Sequence, residues 1–187
     1  MVKIDEPNDK KKPAVTARLF LNSIKTWYNK NGIHSCISSI SQPQPTDRED
    51  RVALAFNLDI CEDMPKCRAR VIDEETGDVV KVLDEMGEER DKIELIENPE
   101  EVTIWLNINV ENAENNEFKV YSMGSAFPLI NYAFIESGDV SKDNKKNLIF
   151  TYDELVDVLE GLEFKAFTES RSFKGGKAYQ VLIPKAL

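Results

Sequence analysis

Two alternating stretches govern what this chain can fold into. Between residues 52 and 60, Val52, Leu54, Phe56, Leu58 and Ile60 alternate with Ala53, Ala55, Asn57 and Asp59. Between 102 and 110, Val102, Ile104, Leu106, Ile108 and Val110 alternate with Thr103, Trp105, Asn107 and Asn109. Successive side chains of a strand point to opposite faces, so each stretch predicts a strand with one apolar face and one small or polar face. Both must lay their apolar rows on a core. A chain of 187 residues with 41% hydrophobic residues has enough apolar matter to build one.

The remaining pattern is mostly more strands. Residues 33–40 form a short strand, and residues 41–50, with two prolines and no apolar residue, form a loop. Residues 66–72 alternate, with Cys67, Ala69 and Val71 inward and Lys66, Arg68 and Arg70 outward. Glu75, Thr76, Gly77 and Asp78 predict a turn into residues 79–83, giving a hairpin. Residues 84–91 are acidic, a loop or an exposed helix, and residues 93–96 a short edge strand. Polar residues 111–117 predict a loop before a returning strand at 118–122. Residues 164–170 and 178–183 flank a loop at 171–177 as a last hairpin.

Helical spacing is rarer. Ala17, Phe20, Leu21, Ile24, Trp27 and Tyr28 recur at helical intervals, with Thr16 able to cap and Asn31-Gly32 to stop the helix. A strand over 15–21 also alternates, but its pattern is shorter and has no end signal. Residues 126–135 predict a short helix opened by Ser125, with Pro128 in its first turn. A charged loop follows over 137–147. Thr151 and Glu154 have capping-box spacing ahead of Leu155, Val158, Leu159 and Leu162.

The sum is seven or eight strands and about three helices, an α+β chain with a mainly antiparallel β-sheet or a small OB-like barrel. Strands alternating with long helices, which a doubly wound nucleotide-binding fold requires, are missing. Residues 1–13, polar and carrying Lys10, Lys11 and Lys12, read as a flexible leader; residues 14–187 read as a single compact domain.

Charge excludes some functions. The formal net charge is −10, which disfavours duplex DNA as the main partner. Residues 1–34 hold seven basic and three acidic residues, residues 73–118 three basic and sixteen acidic, and residues 162–187 five basic and two acidic. The two basic ends would make one positive face if they met. No apolar run reaches the length of a membrane span, and the charged start differs from a secretion signal. Three cysteines, an odd number, argue against a disulfide framework and for a reducing, cytoplasmic setting.

The chemistry that can be sought is limited. His34, Cys36, Cys61 and Cys67 are metal-binding types, but their H-x-C and C-x5-C spacings are not the short knuckles of structural zinc sites, so no metal is expected. Lys174 to Lys177 lacks the glycine spacing and the following Ser or Thr of a phosphate loop. The only histidine, His34, has no nucleophile elbow beside it, and the acidic runs read as solvated faces. The expectation is therefore a non-enzymatic protein without a cofactor.

Interleaved basic and aromatic residues give the strongest functional signal. Lys165, Arg171, Phe173, Lys174 and Lys177 surround a glycine-rich hairpin tip. Cations tracking phosphates and rings stacking on bases are the means by which single strands are held. Arg68, Arg70 and Trp105, on the polar sides of their strands, would extend that surface. The bland alternative is that Phe164 and Phe167 are core and the lysines merely solubilise an edge. Single-stranded DNA or RNA is thus the first expected partner. A basic protein meeting the acidic middle, or a second copy meeting an edge strand, is the alternative; a membrane is not expected. The layout is similar to oligonucleotide-binding barrels in architecture alone.

Overall fold

The structure, a computed structural model, describes residues 32–62, 67–71, 73, 75, 76, 78–96, 101–172, 176 and 178–187; for 67–70, 95, 96, 101 and 178–180 it describes the backbone. The leader and the helix expected over residues 17–28 lie outside the described residues.

The two alternating stretches are the centre of the molecule. β3 (Arg51–Ile60) and β8 (Glu101–Asn112) pair antiparallel, with Val52 opposite Ile108, Leu54 opposite Leu106, Phe56 opposite Ile104 and Leu58 opposite Val102. That register keeps the apolar rows on one face, since a one-residue slip would turn them to water. Leu54, Phe56, Leu58 and Val102 are completely buried.

Around this pair the other strands add in the order β10-β9-β8-β3-β1-β11-β12, with a two-residue strand β2 (Gln44–Pro45) beside β3. β1 is Ile33–Ile40, β9 Glu117–Val120, β10 Leu148–Thr151, β11 Glu163–Ser172 and β12 Ala178–Lys185. Every pairing in this eight-stranded sheet is antiparallel. The expected antiparallel sheet is therefore correct, but no closed barrel forms among the described residues. The physical reason lies at the ends of the sheet. β10 is only four residues long and runs straight into a helix, which leaves little strand for β12 to pair with.

Two helices cover the apolar face. α1 (Phe127–Glu136) buries Phe127, Leu129, Ile130, Ala133 and Phe134. Pro128 stands in its first turn, but the expected cap Ser125 is replaced by Ala126, which offers no side-chain bond. α2 (Tyr152–Leu159) starts at the expected capping box. Thr151 Oγ1 accepts from the Glu154 amide, and the Glu154 carboxylate accepts from the Thr151 amide. Tyr152, Leu155 and Leu159 reach the same core as the sheet. Burial of each large apolar side chain is worth roughly 1.5–3 kcal/mol.

Other strands differ from expectation. β4 (Cys67–Arg70) pairs with β7 (Ile93–Ile96), and β5 (Lys81–Leu83) pairs with β6 (Glu89–Asp91), as two small separate sheets. The turn predicted at 75–78 does fold the chain back, since the Val80 amide donates to Val71 and the Asp73 amide to Asp78. The acidic residues 84–91 are neither a simple loop nor a helix but the tip and second strand of a hairpin. Asp84 holds that tip by accepting from the amides of Met86 and Glu88 and from Arg90 Nε. β10 and β2 were not anticipated, being too short to show a period. The strand-to-strand excursion from 61 to 100 leaves the sheet where β3 ends and β8 begins, so the most acidic stretch springs from one end of the sheet.

Candidate functional site: a groove on the open sheet face

The second face of the sheet is the functional candidate, because both described helices pack on the first. Antiparallel partners share a face. Trp105 therefore stands beside Ala55, Asn107 beside Ala53, and Asn109 beside both Arg51 and Lys119. Alanines opposite the tryptophan leave room for its ring, which stays 45% exposed.

Tyr121 follows β9 on the same side. Its carbonyl accepts from the Gly124 amide at 2.8 Å, and the Ser122 amide donates to Asn147 Oδ1 at 2.8 Å. This tight turn holds the phenol at the rim, 46% exposed. A side chain at Gly124 would meet the Tyr121 carbonyl at 3.1 Å, so the turn favours glycine there. The Lys119 ammonium lies 4.9 Å from the centre of the Tyr121 ring, a cation–π contact.

These groups line an open groove of about 430 Å³, with Arg51, Trp105, Asn107, Asn109, Tyr121 and Met123 on its walls. Arg51 Nε is buried there without a hydrogen-bond acceptor. The groove thus combines two reachable rings, the Arg51 cation and two amides, with Lys119 against the Tyr121 ring.

The residues picked from sequence are distributed over three places. Trp105 is in the groove. Lys165 is on β11, opposite His34 on β1 and Lys185 on β12. Arg171 is on the same strand with its Nε bonded to Glu169 at 3.0 Å. Phe173, Lys174 and Lys177 lie outside the described residues. Arg68 and Arg70 are on β4, in a different sheet, and only their backbone is described.

β3 and β1 stand between β8 and β11, so Trp105 and Lys165 are about 14 Å apart across the strands, and the register offsets them by about a further 20 Å along the strands. Of the nearby rings, Phe164 is completely buried. Phe167 is half-buried, with the Lys185 ammonium 4.8 Å from its centre.

Arg51, Lys119 and Tyr121 were missed as site residues. Their signal was present: Lys119 and Tyr121 occupy the polar phase of a strand whose other phase is Phe118 and Val120. The strand pairing that brings them to Trp105 has no trace in local sequence.

At the far end of the same face, His34, Cys61 and Glu163 come together, with His34 Nε2 3.0 Å from a Glu163 carboxylate oxygen. Among the described residues no helix is long and apolar enough to cross a membrane. No family model, no curated protein and no solved structure matches this chain, so its function must be argued from these surfaces themselves.

Proposed function

We propose that this protein holds single-stranded nucleic acid, without catalysis, in the groove on its open sheet face. The observation that carries the reading is the pair Trp105 and Tyr121. Both rings are nearly half exposed, and both flank one groove with Arg51, while Lys119 lies against the Tyr121 ring. Every base has a π-face, so exposed rings accept any sequence, while the cations meet phosphate oxygens. Asn107 and Asn109 supply amide donors and acceptors for base edges.

Fluorescence anisotropy of a labelled single strand at low salt tests the reading. Binding is expected to weaken with salt at a slope of about −1.4, roughly 0.7 for each of two phosphates. Trp105→Ala should cost about 1–3 kcal/mol, roughly 5- to 150-fold in Kd. Equal binding by Trp105→Ala and the native chain would remove the groove. Loss on Lys174→Glu/Lys177→Glu but not on Trp105→Ala would move the site to the terminal hairpin.

The rival reading, an assembly module, draws on the ends of the sheet. Among the described residues β10 and β12 each pair on one side only. Both are blunted, however. β12 carries Pro184 and ends on Lys185, and β10 has four residues. Such features discourage strand addition. Light scattering that finds a dimer, with no strand affinity, would reverse the preference.

A further inference from the structure

The register of three neighbouring strands gathers the chain's only histidine with two of its three cysteines. Cys36 on β1 stands opposite Asp59 on β3 and Glu163 on β11. One step along, His34 is opposite Lys165, and the His34 carbonyl accepts from the Cys61 amide at 2.9 Å. All six side chains share the open face. The result is a block of two rows, Asp59-Cys36-Glu163 and Cys61-His34-Lys165, with Glu62 next in sequence to Cys61.

The block is set by backbone contacts rather than by chance meeting of long side chains. Gly161 follows α2 with a φ of +83°, a conformation that suits glycine. Its amide donates to the Ile37 carbonyl at 2.8 Å, and the Ile37 amide donates to Leu162 at 2.9 Å. These two bonds fix where β11 starts against β1, and hence place Glu163 beside Cys36. Rigid strands holding ligands are a better basis for a binding site than loops.

We propose that His34, Cys61, Glu163 and Cys36 bind one zinc-class divalent ion. The donor atoms of His34, Cys61 and Glu163 already lie within 4.8 Å of one another. Around tetrahedral zinc, with bonds of about 2.0–2.3 Å, neighbouring donors stand roughly 3.3–3.8 Å apart. Closing by about 1 Å is a side-chain movement for two exposed residues and a half-buried histidine. Imidazole, thiolate and carboxylate are the donors that zinc accepts together, whereas calcium and magnesium take oxygen alone. Among the described residues Glu163, Asp59 and Glu62 outweigh Lys165, with Lys185 one strand further out, so the patch attracts a cation.

A disulfide fits the register less well. Cys36 and Cys61 are diagonal neighbours, whose Cβ atoms in such a ladder lie about 7 Å apart, while a disulfide spans about 3.5–4.5 Å. Both are free thiols. Burial first, then nearby negative groups, pushes each thiol above its ordinary range. The ion would clip β1, β3 and β11 together at the end from which the acidic excursion departs.

Titration of the reduced full chain with cobalt(II), as a spectroscopic stand-in for zinc, tests the site. One equivalent should give tetrahedral d–d bands and a thiolate-to-cobalt charge-transfer band, both removed by zinc. Cys61→Ser and His34→Gln should weaken the ion by more than the roughly 10–100-fold that an outer partner costs. Cys67→Ser, on β4, should leave it unchanged. Far-UV circular dichroism shows whether each variant is folded. Independently of any variant, zinc should protect Cys36 and Cys61 of the native chain from alkylation. Absence of the charge-transfer band, or protection of neither thiol, overturns the proposal, as does a loss on Cys67→Ser equal to that on Cys61→Ser.

Discussion

The two faces of the central sheet do different work, although the same strands supply both. Along β3, Leu54, Phe56 and Leu58 are sealed from water, while on the other face Ala55 is buried beside Trp105, Ala53 and Asn57 are half-buried and Asp59 is exposed. The first face is filled by α1 and α2. The second carries a polar relay across the strands, where Thr103 Oγ1 donates to Asn57 Oδ1 at 2.7 Å and Asn57 Nδ2 donates to Ser39 Oγ at 2.8 Å. A filled face is almost wholly apolar, with Ser35 and Thr168 the buried polar residues among those described, so it says little about function. The second face, not sealed by the described helices, carries a tryptophan, a tyrosine, a histidine and two thiols.

That contrast can be broken most sharply in the core. Phe56→Ala should lose about 3–5 kcal/mol of stability by denaturant unfolding, because it leaves a cavity under both helices. A loss below about 1 kcal/mol would mean the face is not the packed one. Trp105→Ala is the matching test on the other side. It should change stability by no more than about 0.5 kcal/mol, as surface substitutions do, while costing about 1–3 kcal/mol in strand binding. A large loss of stability instead would make Trp105 a structural residue.

Asn57→Ala should be intermediate, about 1–2 kcal/mol in unfolding, since it cuts two side-chain bonds across three strands. An unchanged midpoint would show the relay to be replaceable by water. The smallest expected effect concerns thiol reactivity in chelator-treated protein. Burial, then the Glu163 carboxylate, Asp59 and Glu62, hold the Cys61 thiol above its ordinary range. A negative neighbour disfavours the thiolate, so Glu163→Gln lowers that pKa and raises the thiolate fraction at any pH below it. Alkylation of Cys61 near pH 8 should then quicken by roughly a few-fold. Slower alkylation would contradict the assigned sign.

Much of the local structure was legible beforehand, and the particular elements show why. β3 and β8 announce themselves through five apolar residues in strict alternation, and α2 through Thr151 and Glu154 three apart, because these signals act between near neighbours in the chain. β10 gives no such signal in four residues, and Pro184 obscures the length of β12. The choice of β4's partner depended on residues 93–96 competing successfully with residues 79–83, a comparison of two pairings that periodicity does not make.

The sequence by itself determined that this chain builds antiparallel strands with one apolar face, a proline-started helix and a capping-box helix that join the same core, and an acidic middle. Those follow from side-chain period and from backbone caps, which operate over a few residues. Only the tertiary structure decided that the sheet stays open, that Tyr121, Lys119 and Arg51 join Trp105, and that His34, Cys36, Cys61 and Glu163 occupy one patch. Glu163 is 129 residues from His34 in the chain. Strand order and register bring such residues within reach, and both are settled by the burial of the whole core at once rather than by any segment of it.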